Sequence, residues 1–186
     1  MRKIISAILL SCSFVVVADS TPPEIKEILP NLQKWGQDSA LVSAVVEQNK
    51  MGMTLADIQL RDTEWRATDG LDDRMKAIMA SDAAKRLLEL QKSQAYFFEI
   101  FLMDDQGANV AMTNKTSDYW QGDEAKFLNT YPGGPGSIYI SDINYDESTQ
   151  IFQSQVSFSV PKEISSLGVI TFGVNVEKII KYHDLN

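Results

Sequence analysis

The chain has 186 residues, a single cysteine, a single histidine, and 25 Asp and Glu against 17 Lys and Arg, giving a formal net charge of −8. A sequence with this balance and no visible basic patch lacks the clustered Lys and Arg that nucleic acid or anionic lipid requires, so neither is expected as a partner. It shows no internal repeat or low-complexity tract, and its length suits one domain of ordinary size.

Met1 to Ala18 reads as a secretory signal. Arg2 and Lys3 give a positive start, Ile4 to Val17 is almost unbroken apolar sequence, and Val16-Val17-Ala18 is a small-residue cleavage pattern. The run falls short of the ~20 apolar residues that span a bilayer, and no second run of that length follows. A cleaved, soluble chain in a bacterial periplasm is therefore expected. The alternatives are an uncleaved amino-terminal anchor and, ranked below simple secretion, a lipoprotein using Leu9-Leu10-Ser11-Cys12. Cleavage after Ala18 would remove Cys12, leaving neither disulfide nor thiol chemistry. It would also take the charge from −8 to −10 through the loss of Arg2 and Lys3.

The mature chain begins as helix, over about 22–92. Pro22-Pro23 opens it, and Ile25, Ile28, Leu29 and Leu32 recur at helical spacing. Pro30 is expected to kink or restart this helix. Apolar residues continue through Trp35, Leu41, Val42, Val45 and Val46. Thr54, with Asp57 three residues on, caps a second helix that carries Leu55, Ile58 and Trp65. After a break at Asp69-Gly70, a third run extends from about Asp72 to Lys92.

The pattern changes near Tyr96, and strands are expected over about 96–177. Tyr96 to Met103 suits a buried strand, Asp104-Asp105-Gln106-Gly107 a hairpin turn, and Ala108 to Thr113 the returning strand. A short helix over Asp123 to Asn129 follows, and then Pro132-Gly133-Gly134-Pro135-Gly136, which is irregular. Three more strands are read at Ser137 to Ile143, Gln150 to Val160 and Val169 to Val176. Helices first and strands after imply an α+β fold, with long N-terminal helices packed on a five-stranded antiparallel sheet. In the last two strands, Val156, Phe158, Phe172 and Val174 share one face. Gln153, Gln155, Ser157, Thr171 and Gly173 share the other, which meets solvent or lines a cavity.

Thr116-Ser117-Asp118-Tyr119-Trp120-Gln121-Gly122-Asp123-Glu124-Ala125-Lys126 sets two aromatics beside three carboxylates and a lysine, between strand and helix. Loops of this composition often carry function, and this one is read as the wall of a small-molecule pocket over the polar sheet face.

Phe98-Glu99-Ile100-Phe101-Leu102-Met103-Asp104-Asp105-Gln106-Gly107 with Val110-Ala111-Met112-Thr113 resembles the central hairpin of extracellular Cache sensors, the PAS-like (PDC-type) domains of bacterial receptors. Thr116 to Glu124, Asp146-Glu147-Ser148-Thr149, Gln155-Val156-Ser157 and Gly168 to Val174 resemble a periplasmic single-Cache subgroup. The resemblance runs from about Ile25 to Val176. It implies a ligand pocket on the sheet face opposite the long helices, beneath the loops between the second and third strands, and a ligand such as an amino acid, an amine or a short carboxylate. No second membrane segment and no kinase, cyclase or chemotaxis module follows the sensor part, a departure from the family pattern, so the chain is expected to act through an inner-membrane signalling partner or merely to bind its ligand. A homodimer through the N-terminal helix, as in related sensors, is open beside packing of that helix on the sheet.

Each candidate ligand-binding residue has a duller alternative. Tyr119 and Trp120 could close over an aliphatic or cationic ligand, or plug the loop onto the sheet. Asp118, Asp123 and Glu124 could hold an ammonium group, or cap the short helix. Lys126, Arg61 and Arg66 could pair with a carboxylate, or form surface ion pairs worth ~0–1 kcal/mol. Arg66 leads that set because Trp65 beside it suggests partial burial. Gln153, Gln155 and Thr171 could supply neutral hydrogen bonds from the floor. Metals and cofactors are not expected. Asp142-Ile143-Asn144-Tyr145-Asp146 starts like a calcium loop, but Glu147 stands where the turn needs glycine and no glutamate closes it; His183 is alone. No Cys–His pair, G-x-S-x-G, Walker loop or G-x-G-x-x-G is present, so no enzyme is expected. The leading reading is a non-catalytic sensor domain. The alternative is a protein–protein regulatory subunit of an inner-membrane kinase or cyclase, with no ligand.

Overall fold

Most helix starts in this chain are set by side chains that bind free backbone N–H groups, and a computed structural model describing residues 15–17, 21–147 and 149–185 shows them in place. Helix α1 (Pro23–Trp35) opens on proline, α2 (Ser39–Lys50) on Asp38, and α3 (Leu55–Ala67) on Thr54, whose hydroxyl accepts from Asp57 N. Helix α1 runs through Pro30 without restarting; the break falls later, at residues 36–38. Ile25, Ile28 and Leu32 bury one face of α1 on both sides of the proline, and this packing outweighs the one hydrogen bond that proline removes.

The expected helix from Asp72 to Lys92 is two helices, α4 (Asp73–Ala80) and α5 (Asp82–Lys92). Ser81 lies between them in extended conformation (φ −61°, ψ 159°) and caps α5 by accepting from Ala84 N. Its preference for a cap position over a helix interior explains the interruption.

Seven strands form one sheet: β1 (Val15–Val17), β2 (Phe97–Met103), β3 (Asn109–Met112), β4 (Ile138–Ile140), β5 (Asn144–Asp146), β6 (Ile151–Lys162) and β7 (Ser165–Asn175). The central order β4-β6-β7-β2-β3 is antiparallel throughout, with β5 also on β6. Strand β1 lies parallel on the outer edge of β4 and makes the sheet mixed. The rest of the expected secretory signal lies outside the described residues. The anticipated strand from Ser137 to Ile143 is shortened to the three residues of β4, and β5 follows just beyond its expected end. The two long strands reach further than expected and meet in a two-residue turn at Glu163-Ile164. Residues beyond the last expected strand form α7 (Val176–Asp184), which the sequence reading left unassigned.

The two sheet faces are covered differently. Ile100, Leu102, Val156, Phe158, Phe172 and Val174 form the main core with α1, α2, α5 and α7. On the opposite face Phe101, Met103, Met112 and Val169 form a smaller core with Ile58 and Trp65 of α3, Met75 of α4, Tyr119, and Phe127 of helix α6 (Ala125–Leu128). This second cover spans only part of the face, and the candidate site lies where it stops.

The β2–β3 hairpin turn is tied on both sides. Asp104 accepts from Gln106 N, Ala108 N and Gln48 Nε2, all within 2.9 Å, while Asn49 Oδ1 accepts from Asp105 N. Gly107 adopts φ +85°, a conformation costly for any residue with a Cβ. Its Cα side also faces Gly122, so the turn and the aromatic loop touch backbone to backbone.

Candidate functional site

Register across the sheet builds the floor of a hollow. Glu99 of β2 and Gln155 of β6 both pair with Gly173 of β7, so a residue without a side chain separates them. A Cβ on Gly173 would lie 2.5 Å from both Glu99 Cγ and Phe98 Cζ. The glycine therefore leaves the space that lets Glu99 reach across, where its Oε1 accepts from Gln155 Nε2 at 3.4 Å. Phe101, Thr171, Ser157 and Tyr139 form a neighbouring row.

Above this floor is a hollow of about 410 Å³, walled by Asn114 to Ser117, Gln121 and Lys126 on one side and by Asp146, Thr149 and Gln153 on the other. An adjoining hollow of about 350 Å³ shares Ser117, Lys126, Gln153 and Gln155. Lys126, on the first half of α6, is only 6% exposed. Its ammonium group pairs with Glu124 at 2.6 Å and sits 5.3 Å above the Phe101 ring centre. Burial pushes the Glu99 carboxyl above its ordinary range, and the Gln155 hydrogen bond and the Lys126 charge pull it partly back. Gln153 donates weakly to Asp146 at 3.4 Å, and its Oε1 is buried without a hydrogen-bond partner.

The residues expected to share one pocket are divided among three environments. Lys126, Gln153 and Gln155 line the hollow over the sheet. Arg66, Asp118, Trp120 and Asp123 instead line a separate hollow of about 320 Å³ between α3 and the outer side of the loop. Trp65 and Tyr119 are each 2% exposed and pack together in the smaller core, ring centres 5.6 Å apart. Thr171 lies on the expected face but is wholly buried, its hydroxyl 2.9 Å from that of Ser157, and it does not line the hollow.

Asp62 causes much of this division. Its carboxylate, buried on α3, accepts from Tyr119 N at 2.8 Å and Trp120 N at 3.1 Å. The same stretch pairs with the start of β3: Ala108 bridges Trp120, and Asn109 N donates to Tyr119 O. Successive side chains of an extended segment point to opposite sides, so Tyr119 enters the core and Trp120 turns outward. There the Trp120 indole N–H donates to Gln106 O at 2.7 Å. Burial pushes the Tyr119 phenol up, partly offset by a hydrogen bond from Arg61. Trp65 donates to Thr116 O at 2.9 Å, and Arg66 reaches Asp62 at 3.2 Å and Asp118 at 3.6 Å from a 60% exposed position.

The sequence reading passed over Glu99 and Phe101 because both sit inside a strand that reads as uniformly buried. A glutamate in such a strand, two residues from the polar face's next position, was the available signal. The segment that starts like a calcium loop is partly strand: Asn144 to Asp146 are β5, paired with β6. Among the described residues no cluster of three or more His, Cys, Asp or Glu could hold a metal, and no helix is long and apolar enough to cross a membrane.

This fold is similar to that of solved extracellular sensor domains. The extracellular domain of a putative histidine kinase shares it at 9% identity and a TM-score of 0.51, over 84% of this chain and 52% of that one. The ligand-binding domain of an amino acid chemoreceptor of Pseudomonas aeruginosa PAO1, in complex with GABA, aligns at 14% identity and a TM-score of 0.44, over 86% of this chain and 62% of that one. The sensor domain of the V. cholerae histidine kinase DctB aligns at 14% identity and a TM-score of 0.38, over 86% and 54%. The chain thus spans between about half and under two thirds of the length of these structures. No family model matches the chain, and no curated protein does.

Proposed function

We propose that this chain is a non-catalytic sensor domain that binds a small organic molecule in the hollow above Glu99, Gln153 and Gln155, and passes the signal to a membrane partner. The observation that carries this reading is the hollow itself: about 410 Å³, floored by a sheet face and holding a buried lysine and a desolvated carboxylate. Burying a charged group costs stability unless it is paired, Glu99 has only one long hydrogen bond to offset that cost, and concave sites with a few convergent polar groups are the usual form of ligand pockets. The signal-like start of the sequence supports secretion to the periplasm, where small metabolites would reach this face. Removal of residues up to Ala18 would take away β1 and leave β4 as the sheet edge.

A thermal-shift screen of amines, amino acids and short carboxylates tests the reading. A ligand at 100 times its Kd stabilises by about 2.7 kcal/mol, a shift of roughly 5–11 °C for a domain of this size. A screen with no shift at millimolar concentrations, beside capture of a membrane protein, would replace the ligand-binding reading with that of a regulatory subunit.

A further inference from the structure

The charges around the hollow are unequally engaged. Lys126 is held by Glu124 at 2.6 Å and covers the Phe101 ring. Lys115 is turned away, donating to the carbonyl oxygens of Thr68 and Gly70 at 2.7 and 3.0 Å. Both cations of the wall are thus already bonded. Glu99 has no ion-pair partner among the described residues and accepts only one long hydrogen bond, from Gln155. Gln153, on the opposite wall, keeps its Oε1 buried without a donor. The hollow therefore holds a carboxylate, Glu99, that neither cation of the wall pairs with.

From this imbalance we propose that the ligand is an aliphatic amine cation, a primary ammonium group on a short chain without a carboxylate, anchored on Glu99. An ammonium group supplies three N–H donors and one positive charge. Glu99 takes the charge and accepts from the ammonium group. The alkyl part lies against Phe98, whose ring edge packs over the backbone of Gly173. A ligand carboxylate gains little here, because it meets Glu99 and Asp146 and must compete with Glu124 for Lys126. The net charge of −8 adds a general attraction for cations.

The inference rests on the sensor reading, and the test separates the two. Binding of n-butylamine, 1,4-diaminobutane, 4-aminobutyrate and butyrate to the purified chain is measured by calorimetry. The amines are expected to bind, 4-aminobutyrate more weakly, and butyrate not at all. Charge-assisted hydrogen bonds are strong enough that Glu99→Gln should weaken amine binding about ten- to a hundredfold. Glu99→Asp, which keeps the charge, should recover part of the loss. Amine binding that is unaltered in Glu99→Gln overturns the anchor. Binding of butyrate in preference to butylamine overturns the ligand class while leaving the pocket standing. Failure of all four probes, and of a wider set of neutral and acidic metabolites, removes the amine and the pocket together.

Discussion

Asp62 gives the sharpest test of how the aromatic loop is held. Its buried carboxylate is the acceptor for two consecutive backbone N–H groups, those of Tyr119 and Trp120. In Asp62→Ala both lose their partner in a place that water enters poorly. An unsatisfied buried polar group costs about 1–3 kcal/mol, while the pair with exposed Arg66 adds no more than ~1 kcal/mol. The expected loss is about 2–7 kcal/mol, a fall in melting temperature of roughly 4–28 °C at about 2–4 °C per kcal/mol. Asp62→Asn keeps an oxygen in place and should lose less than half as much. Melting followed by circular dichroism at neutral pH reads the totals, and tryptophan fluorescence reports the release of Trp120. If Asp62→Ala melts within a degree or two of the parent chain, the loop is held by its contacts with β3 and the smaller core, and the clamp argument is wrong.

Four further outcomes follow from the same geometry. Burial raises the Glu99 pKa in the folded state above the 4.5 of a free glutamate, so the folded chain binds the extra proton and loses stability as pH rises from about 4.5 through that raised value. Glu99→Gln removes this contribution: without ligand it should melt higher than the parent at pH 7, and the gap should close below pH 4.5. Gly173→Ala places a methyl group 2.5 Å from Glu99 Cγ and Phe98 Cζ. It should abolish ligand-induced thermal shifts and cost about 1–3 kcal/mol for overpacking, and retained affinity would count against the floor described above. Gly122→Ala would overlap Trp120 Nε1 and Gln106 O, so it should break their hydrogen bond and red-shift tryptophan emission. Gly52→Ala, with nothing within 4 Å of the added methyl, should show only the ~1 kcal/mol of a left-handed backbone.

Local signals in the sequence carried much of the fold. The cap at Thr54, the helix start near Asp72, the Asp104–Gly107 turn and the alternation along β6 and β7 each have a cause within a few residues, and each is where the pattern puts it. The misreadings share another cause. Ser81 divides a helix because its hydroxyl finds Ala84 N, a cap signal that the continuous apolar spacing of the region concealed. Pro30 is overridden by burial on both sides of it. At the site, composition identified the aromatic loop but could not reveal which side of its backbone faces the sheet. That depends on Asp62, 57 residues before Tyr119. Glu99 was hidden because its role comes from register with Gly173 and Gln155, a relation between strands far apart in the chain.

The paired glycines at 107 and 122 have a mechanical consequence. They let the wall of the hollow rest directly on a hairpin tip that Gln48 and Asn49 clasp from the far helical layer. Wall, tip and helix α2 thus form a short lever with no compressible side chain at its fulcrum. A molecule that draws Gln121 inward must pull on Gly107, whose carbonyl accepts from Gln121 N at 2.8 Å, and through it on the end of a helix on the other side of the sheet.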